Sequence, residues 1–231
     1  MNSIWVCFGL AISTCLPANS FVAKPHERAQ NAGAILYSIE DGLIHIVLGE
    51  EPRTKSGRRF WSSFVGENKD RKDSTEKAAK REIQEETRNA IRVSVKALKK
   101  TPFIEDGDTV LFLVKIDFGT LVVKQKKKKE IRIREPDDFL KLEPVKDCEK
   151  TAYASVSLKV LLDAVDSKKS NRDVHVDSLK EAKNASDSTL LDHTVDNFRS
   201  TATRKIFRTI ALNHGLDLEK NGLTVKSEKK E

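Results

Sequence analysis

Three glutamates, Glu82, Glu85 and Glu86, carry the clearest chemical signal in the chain. At roughly 100° per residue a helix brings all three within about 100° of one face. Carboxylates that close repel one another, by a few tenths of a kcal/mol per pair. A hard divalent cation reverses that balance: Mg²⁺ takes carboxylate oxygens and keeps waters for substrate phosphates. Arg81 stands four residues before Glu85, the spacing that lets it brace that carboxylate. The bland alternative is a solvated acidic face, the usual fate of such charges.

The surrounding residues predict a helix. Ala78, Ala79, Arg81, Glu82, Gln84, Glu85 and Glu86 are good helix formers. Asp73 is expected as N-cap, with Glu76 three residues on completing a capping box. Ala79, Ile83 and Thr87 fall on the neighbouring arc and should pack on the domain.

Arg81-Glu82-Ile83-Gln84-Glu85-Glu86 resembles the core of the Nudix box. That box runs from a glycine through a first Glu to Arg-Glu-aliphatic-x-Glu-Glu-x-Gly-aliphatic. Asp73 stands at the first Glu position, with the required spacing to Arg81. Glu67 takes the first glycine position, beside Gly66; Arg88 takes the second, and Asn89 the last aliphatic position, with Ile91 two further on. The resemblance implies an α/β fold, a Nudix-like α/β/α sandwich around a mixed sheet. It implies a hydrolase that cleaves a diphosphate bond in a nucleoside diphosphate linked to another moiety, with Mg²⁺ or Mn²⁺ as cofactor. Glu82, Glu85 and Glu86 would be metal ligands and, with Arg81, the catalytic set. Glu85 would be a ligand or water-orienting base, and Arg81 would orient it. Gly66 and Asp73 would support the loop. A general base outside the box is common in this family, and Glu105, Glu135 and Glu149 are open candidates. Arg53, Arg58 and Arg59 are candidate phosphate contacts, or equally solubilising surface charges. A competing reading is a weak or inactive Nudix-fold module that binds a nucleotide or a protein. A basic RNA-binding protein with an incidental acidic helix is a third, not favoured.

The chain has 231 residues, enough for one domain with additions. At 38% hydrophobic it can bury a core, which excludes global disorder. A net charge of +7 favours anionic partners without choosing among them. Residues 1–20 lack Lys, Arg, Asp and Glu, and their apolar run is too short to span a bilayer. They read as a secretory signal cut after Ser20, which would make the protein secreted or periplasmic; the alternatives are a buried N-terminal strand or a misplaced start, with a cytoplasmic protein. Cys7, Cys15 and Cys148 show no zinc-site spacing, and Cys148 reads as a partly buried free thiol.

One domain is expected over residues 29–215, with a polar insertion or linker at 166–188 and a polar tail at 216–231. Gly33–Ser38 and Leu43–Gly49 read as a hairpin, with His45 a strand histidine. Arg58–Val65 reads as a third strand leading into the Gly66 loop. Ile91–Leu98 and Thr109–Phe118 are predicted strands, the second central, joined by an acidic turn at Glu105–Asp108. Leu121–Arg134 carries the run Lys124-Gln-Lys-Lys-Lys-Lys, read as a solvated hairpin tip rather than a polyphosphate contact. A strand at Ala152–Val156 should run into a helix through Val165, and a last helix should start near Val195 and stop at Asn213-His214-Gly215. The expected partner is a small diphosphate; no transmembrane segment is expected.

Overall fold

The computed structural model describes residues 25, 27–52, 59–125, 130–166, 188–190 and 200–216. The expected signal at 1–20, most of the 166–188 insertion, the lysines at 126–129 and the tail beyond 216 lie outside the described residues.

The hairpin forms as β1 (Asn31–Glu40) and β2 (Leu43–Pro52), turning through Asp41 and Gly42, both at positive φ. Along β1 the side chains alternate between two cores, as a period of two requires. Ala32, Ala34 and Leu36 face one core; Ile35 and Tyr37 face the other. The predicted third strand is in fact two, β3 (Arg59–Ser62) and β4 (Phe64–Glu67), broken at Ser63. β3 pairs antiparallel with the end of β2, whereas β4 pairs antiparallel with the start of β1. The chain therefore changes partner at Ser63, entering the cleft where β1 and β2 diverge. Gly33 is needed there, since a Cβ would lie 2.0 Å from the Phe64 carbonyl oxygen.

The acidic helix is α1 (Thr75–Glu86), and α2 (Val95–Leu98) is a single short helix. The strand predicted at Ile91–Leu98 is not formed. Ser94 instead accepts from the Ala97 N–H at 3.0 Å and starts α2, so local capping overrides the apolar alternation. β5 (Phe103–Asp106) and β6 (Thr109–Lys115) make a hairpin through Gly107. Glu105 and Asp106 thus belong to a strand rather than to a turn. β6 pairs parallel with β1 and antiparallel with β5, which makes it an interior strand next to the edge rather than the central one expected, and makes the sheet mixed.

β7 (Val122–Lys124) and β8 (Glu130–Arg132) form a separate antiparallel pair at the basic segment. β9 (Ala152–Ser157) pairs with β2 and runs directly into α3 (Leu158–Asp166). β10 (Ser188–Leu190), at the end of the expected insertion, pairs parallel with β3. The last helix is α4 (Ser200–His214). Gly215 at φ 62° ends it, with the Leu216 N–H returning to the Ala211 carbonyl at 2.9 Å.

The layers are α/β/α. α1 packs Ala78, Ala79 and Ile83, all fully buried, on the Ala34–Leu36 face of the sheet. On the opposite face Leu158, Leu161 and Leu162 of α3 meet Phe207 and Ile210 of α4. Among the described residues no helix is long and apolar enough to cross a membrane.

Candidate active site at the acidic helix

The strand–loop–helix that carries the glutamates is tied at several points. Asn68, 3% exposed, accepts from the Asp73 N–H and donates to the carbonyls of Asp73 and Ala29. Its side chain closes the loop between β4 and α1. Asp73 is therefore occupied through its backbone, and the cap is Ser74, whose hydroxyl accepts from the Lys77 N–H at 3.4 Å. The predicted Asp73–Glu76 capping box is not formed, because Glu76 stands only two residues after the true cap. Arg71, at positive φ, reaches Asp108 of the β5–β6 turn at 2.9 Å.

Gly66 is the glycine the loop cannot do without. A Cβ on it would lie 2.1 Å from Glu82 Oε2. Glu67, at the motif's nominal glycine position, is exposed and contributes its carbonyl, which accepts from Arg81 Nη2 at 3.0 Å. The same guanidinium lies 2.6 Å from Glu82 Oε1 and donates to Glu85 Oε2 at 3.1 Å. Burial raises the pKa of Glu82 despite the Arg81 charge, and the neighbouring charges of Glu85 and Glu149 push the same way.

Glu86 points elsewhere. Its Oε1 lies 3.5 Å from Lys150 Nζ, and Lys150 also donates to Ser62 Oγ and to the Ser63 carbonyl. The backbone of Glu86 is held too: Tyr153 donates its hydroxyl to the Glu86 carbonyl at 2.6 Å, beside the half-buried Cys148 thiol. Burial, reinforced by the Cys148 hydrogen bond, keeps the Tyr153 phenol protonated by raising its pKa.

At the helix end, Arg88 and Asn89 both adopt positive φ, 52° and 61°. The backbone thus takes the left-handed turn a glycine would take, with an arginine in it. Arg88 uses its side chain to donate to the carbonyls of Leu140 and Leu142, at 3.3 and 3.4 Å.

Of the outside carboxylates, Glu149 is exposed next to Lys150 and its charge acts on Glu82. Glu105 stands exposed on β5, and the charge of Glu135 acts on Asp137 and Lys141. Arg59 opens β3, whereas Arg53 and Arg58 lie outside the described residues. Lys150, Ser62, Ser63 and Asn68 were not legible as site residues. Lys150 and Ser62 are 88 positions apart, and no local pattern marks their meeting.

Among the described residues, no group of three His, Cys, Asp or Glu side chains could hold a metal ion. The expected three-ligand set is divided: Glu82 and Glu85 share Arg81, and Glu86 faces Lys150. In donor chemistry the Glu82–Glu85 pair fits a hard divalent cation, being carboxylate oxygen throughout. Its covering cation, Arg81, is 40% exposed.

No protein-family model matches this chain, and no curated protein matches it. Among solved structures, the crystal structure of a C. elegans Ap4A hydrolase binary complex is similar at a TM-score of 0.38 and 17% identity. That likeness covers 79% of this chain and 98% of the other.

Proposed function

We propose that the chain is a Nudix-type hydrolase that cleaves a diphosphate bond in a nucleoside diphosphate linked to another moiety, dependent on Mg²⁺ or Mn²⁺. The observation that carries this reading is the grip of Arg81 on Glu67, Glu82 and Glu85 across a loop whose Gly66 leaves room for nothing but the Glu82 carboxylate. A helix kept only for solubility needs neither that bridge nor that glycine.

The barrier to diphosphate hydrolysis is mainly electrostatic, because water must approach a phosphorus screened by anionic oxygens. A divalent ion on these carboxylates would supply positive charge against the phosphate and lower the pKa of water. The residues themselves bind, orient and take up a proton. Glu82, walled by Gly66, and Glu85 present oxygens on one side of α1. Arg81 fixes the direction of Glu85, the candidate base. Glu149 is the outside carboxylate whose charge already acts on Glu82 and is a second candidate for that proton.

Phosphate release from a panel of diphosphate compounds, with Mg²⁺, Mn²⁺ or EDTA, tests the reading. Metal-dependent release from at least one compound is expected; no release from any overturns it. The pairing of Glu86 with Lys150 supports a second reading, a nucleotide-binding or protein-interaction module with little turnover. Nucleotide binding without release in the same panel selects that one.

A further inference from the structure

Asn68 ties the loop before α1 to a segment 39 positions earlier in the chain. Its side chain accepts from the Asp73 N–H at 3.2 Å and donates to the carbonyls of Asp73 at 2.8 Å and Ala29 at 3.2 Å. Its own N–H donates to the Gln30 carbonyl at 2.7 Å. That segment, just before β1, is bound in turn to α1. The Ala29 N–H donates to Thr75 Oγ1 at 3.0 Å. The Thr75 N–H, one of the donors that a helix start leaves over, donates to the Glu27 carbonyl at 3.1 Å. Ala29 and Thr75 are fully buried and Asn68 nearly so. Loop, pre-strand segment and helix start therefore close into a ring.

One peptide carries that ring to the acidic face. The Glu67–Asn68 peptide is planar, and its C=O and N–H point in opposite directions. The N–H is held by Gln30, and the C=O accepts from Arg81 Nη2 at 3.0 Å. The plane cannot turn without breaking one bond or the other. Arg81 in turn donates to Glu85 Oε2 at 3.1 Å. The Glu67 side chain, exposed, takes no part.

We infer that Asn68 is a positioning residue: it locks the Glu67–Asn68 peptide against the segment Glu27–Gln30 and so aims Arg81 at the Glu85 carboxylate. The inference rests on the reading of Arg81 and Glu85 as the groups that act in hydrolysis. It adds that the segment before β1 is part of the machinery that directs them. An asparagine needed only for stability would lower the melting temperature without acting through Arg81.

The test combines turnover with two measurements that need none. Asn68→Ala removes all three side-chain bonds. On a diphosphate compound that wild type hydrolyses, its kcat should fall ~10–100-fold, the loss expected when a reacting group is misplaced by about 1 Å. KM should stay within ~3-fold, because the loss falls on the transition state. Ser94→Ala, which removes the cap of α2 instead, should lower the melting temperature and leave kcat unchanged. Asn68 should matter no further once Arg81 is gone, so Asn68→Ala combined with Arg81→Ala should turn over within ~2-fold of Arg81→Ala alone. Additive losses, or an unchanged kcat in Asn68→Ala, overturn the inference. In wild type the Asp73 N–H should be protected from hydrogen exchange by ~10-fold or more. The nitrogen resonances of the Arg81 guanidinium should show hindered rotation, which Asn68→Ala abolishes. An unprotected Asp73 or a freely rotating Arg81 in wild type overturns the inference, even where Asn68→Ala does not fold. A chain that shows both features yet releases no phosphate upholds the positioning of Arg81 while the hydrolase reading fails.

Discussion

Two cations meet the acidic end of α1 from opposite sides, and their surroundings differ sharply. Arg81 lies outward, 40% exposed, and spreads over two carboxylates and a loop carbonyl. Lys150 lies inward, 1% exposed, and faces the Glu86 carboxylate, Ser62 and Ser63. The outward cation keeps its water, and its pair with the part-exposed Glu85 contributes about 0–1 kcal/mol, although Glu82 on the same guanidinium is itself buried. The inward pair has lost its water, so each charge depends on the other. The same chemical type, Glu beside a basic residue, is thus adjustable on one side of the helix and structural on the other.

The largest effect should fall on the outward side and be catalytic. Glu85→Gln keeps shape and removes the candidate base that Arg81 directs. Turnover should fall by about 10²–10⁴-fold, the usual range for a positioned general base, with the melting temperature nearly unchanged. Phosphate release beside thermal melts measures both. A loss of activity accompanied by an equal loss of fold would put Glu85 with the inward group instead.

Glu86→Gln and Glu82→Gln should move stability in opposite directions. Glu86→Gln removes the negative charge facing Lys150. It should cost about 1–3 kcal/mol, short of the ~3–5 for deleting one partner outright, because the amide oxygen still accepts. Glu82 is ionised at a cost, since burial holds its pKa above the ordinary value of 4.5. A raised carboxyl pKa means that the folded state binds the proton better than the unfolded one. The stability this gives is present below pH 4.5 and is lost as pH rises through the folded pKa. In EDTA at pH 7, Glu82→Gln should therefore melt above wild type, and the gain should vanish below about pH 4.5. Urea melts across pH, without metal, check both substitutions; the same sign for both would remove the contrast between the two sides.

That contrast could not be read from the sequence, although the helix could. Glutamates at three and four spacing with a following Ile83 mark α1 locally, and its true bounds differ from expectation by one residue of cap. Asp73 and Ser74 are both good caps; the choice between them is made by Asn68, which binds the Asp73 backbone. The hairpin β1–β2 and the alternation of Ile131 and Ile133 around exposed Arg132 were likewise local and legible. Ile91, Val93 and Val95 alternate as a strand does, yet Ser94 caps a helical turn there. The break at Ser63 and the arrival of Lys150 depend on pairing between distant strands, β3 with β2 and β9 with β2, and nothing within a short window encodes that.

The C-terminal end of α1 gives a smaller effect that sharpens the comparison. Arg88 pays for a left-handed backbone, about 1–2 kcal/mol for a residue with a Cβ, and recovers it through Leu140 and Leu142. Arg88→Ala keeps the backbone strain and loses both hydrogen bonds. Arg88→Gly loses the bonds and relieves the strain. Arg88→Gly should therefore be the more stable of the two by about 1 kcal/mol. Equal stabilities would mean that the turn is held by contacts other than its φ.

The smallest expected effect is that of Arg81→Ala on stability. Arg81 is well exposed, so its pair with the part-exposed Glu85 should contribute less than about 1 kcal/mol at low salt, while the buried Glu82 also loses the charge that partly offsets its burial. It also relieves nothing, because the two carboxylates it separates then repel each other across the helix surface. The contributions that reach solvent are screened, and at about 1 M salt, where the Debye length is ~3 Å, the gap between wild type and Arg81→Ala should narrow. The cost of Glu86→Gln should survive that salt, since ions cannot enter between Lys150 and Glu86 while both stay buried. Paired melts of the two variants at low and high salt read the difference directly. A salt-insensitive Arg81 would mean that its bond to the Glu67 carbonyl, not its charge, holds the loop; a salt-sensitive Glu86 variant would mean that water reaches Lys150 after all.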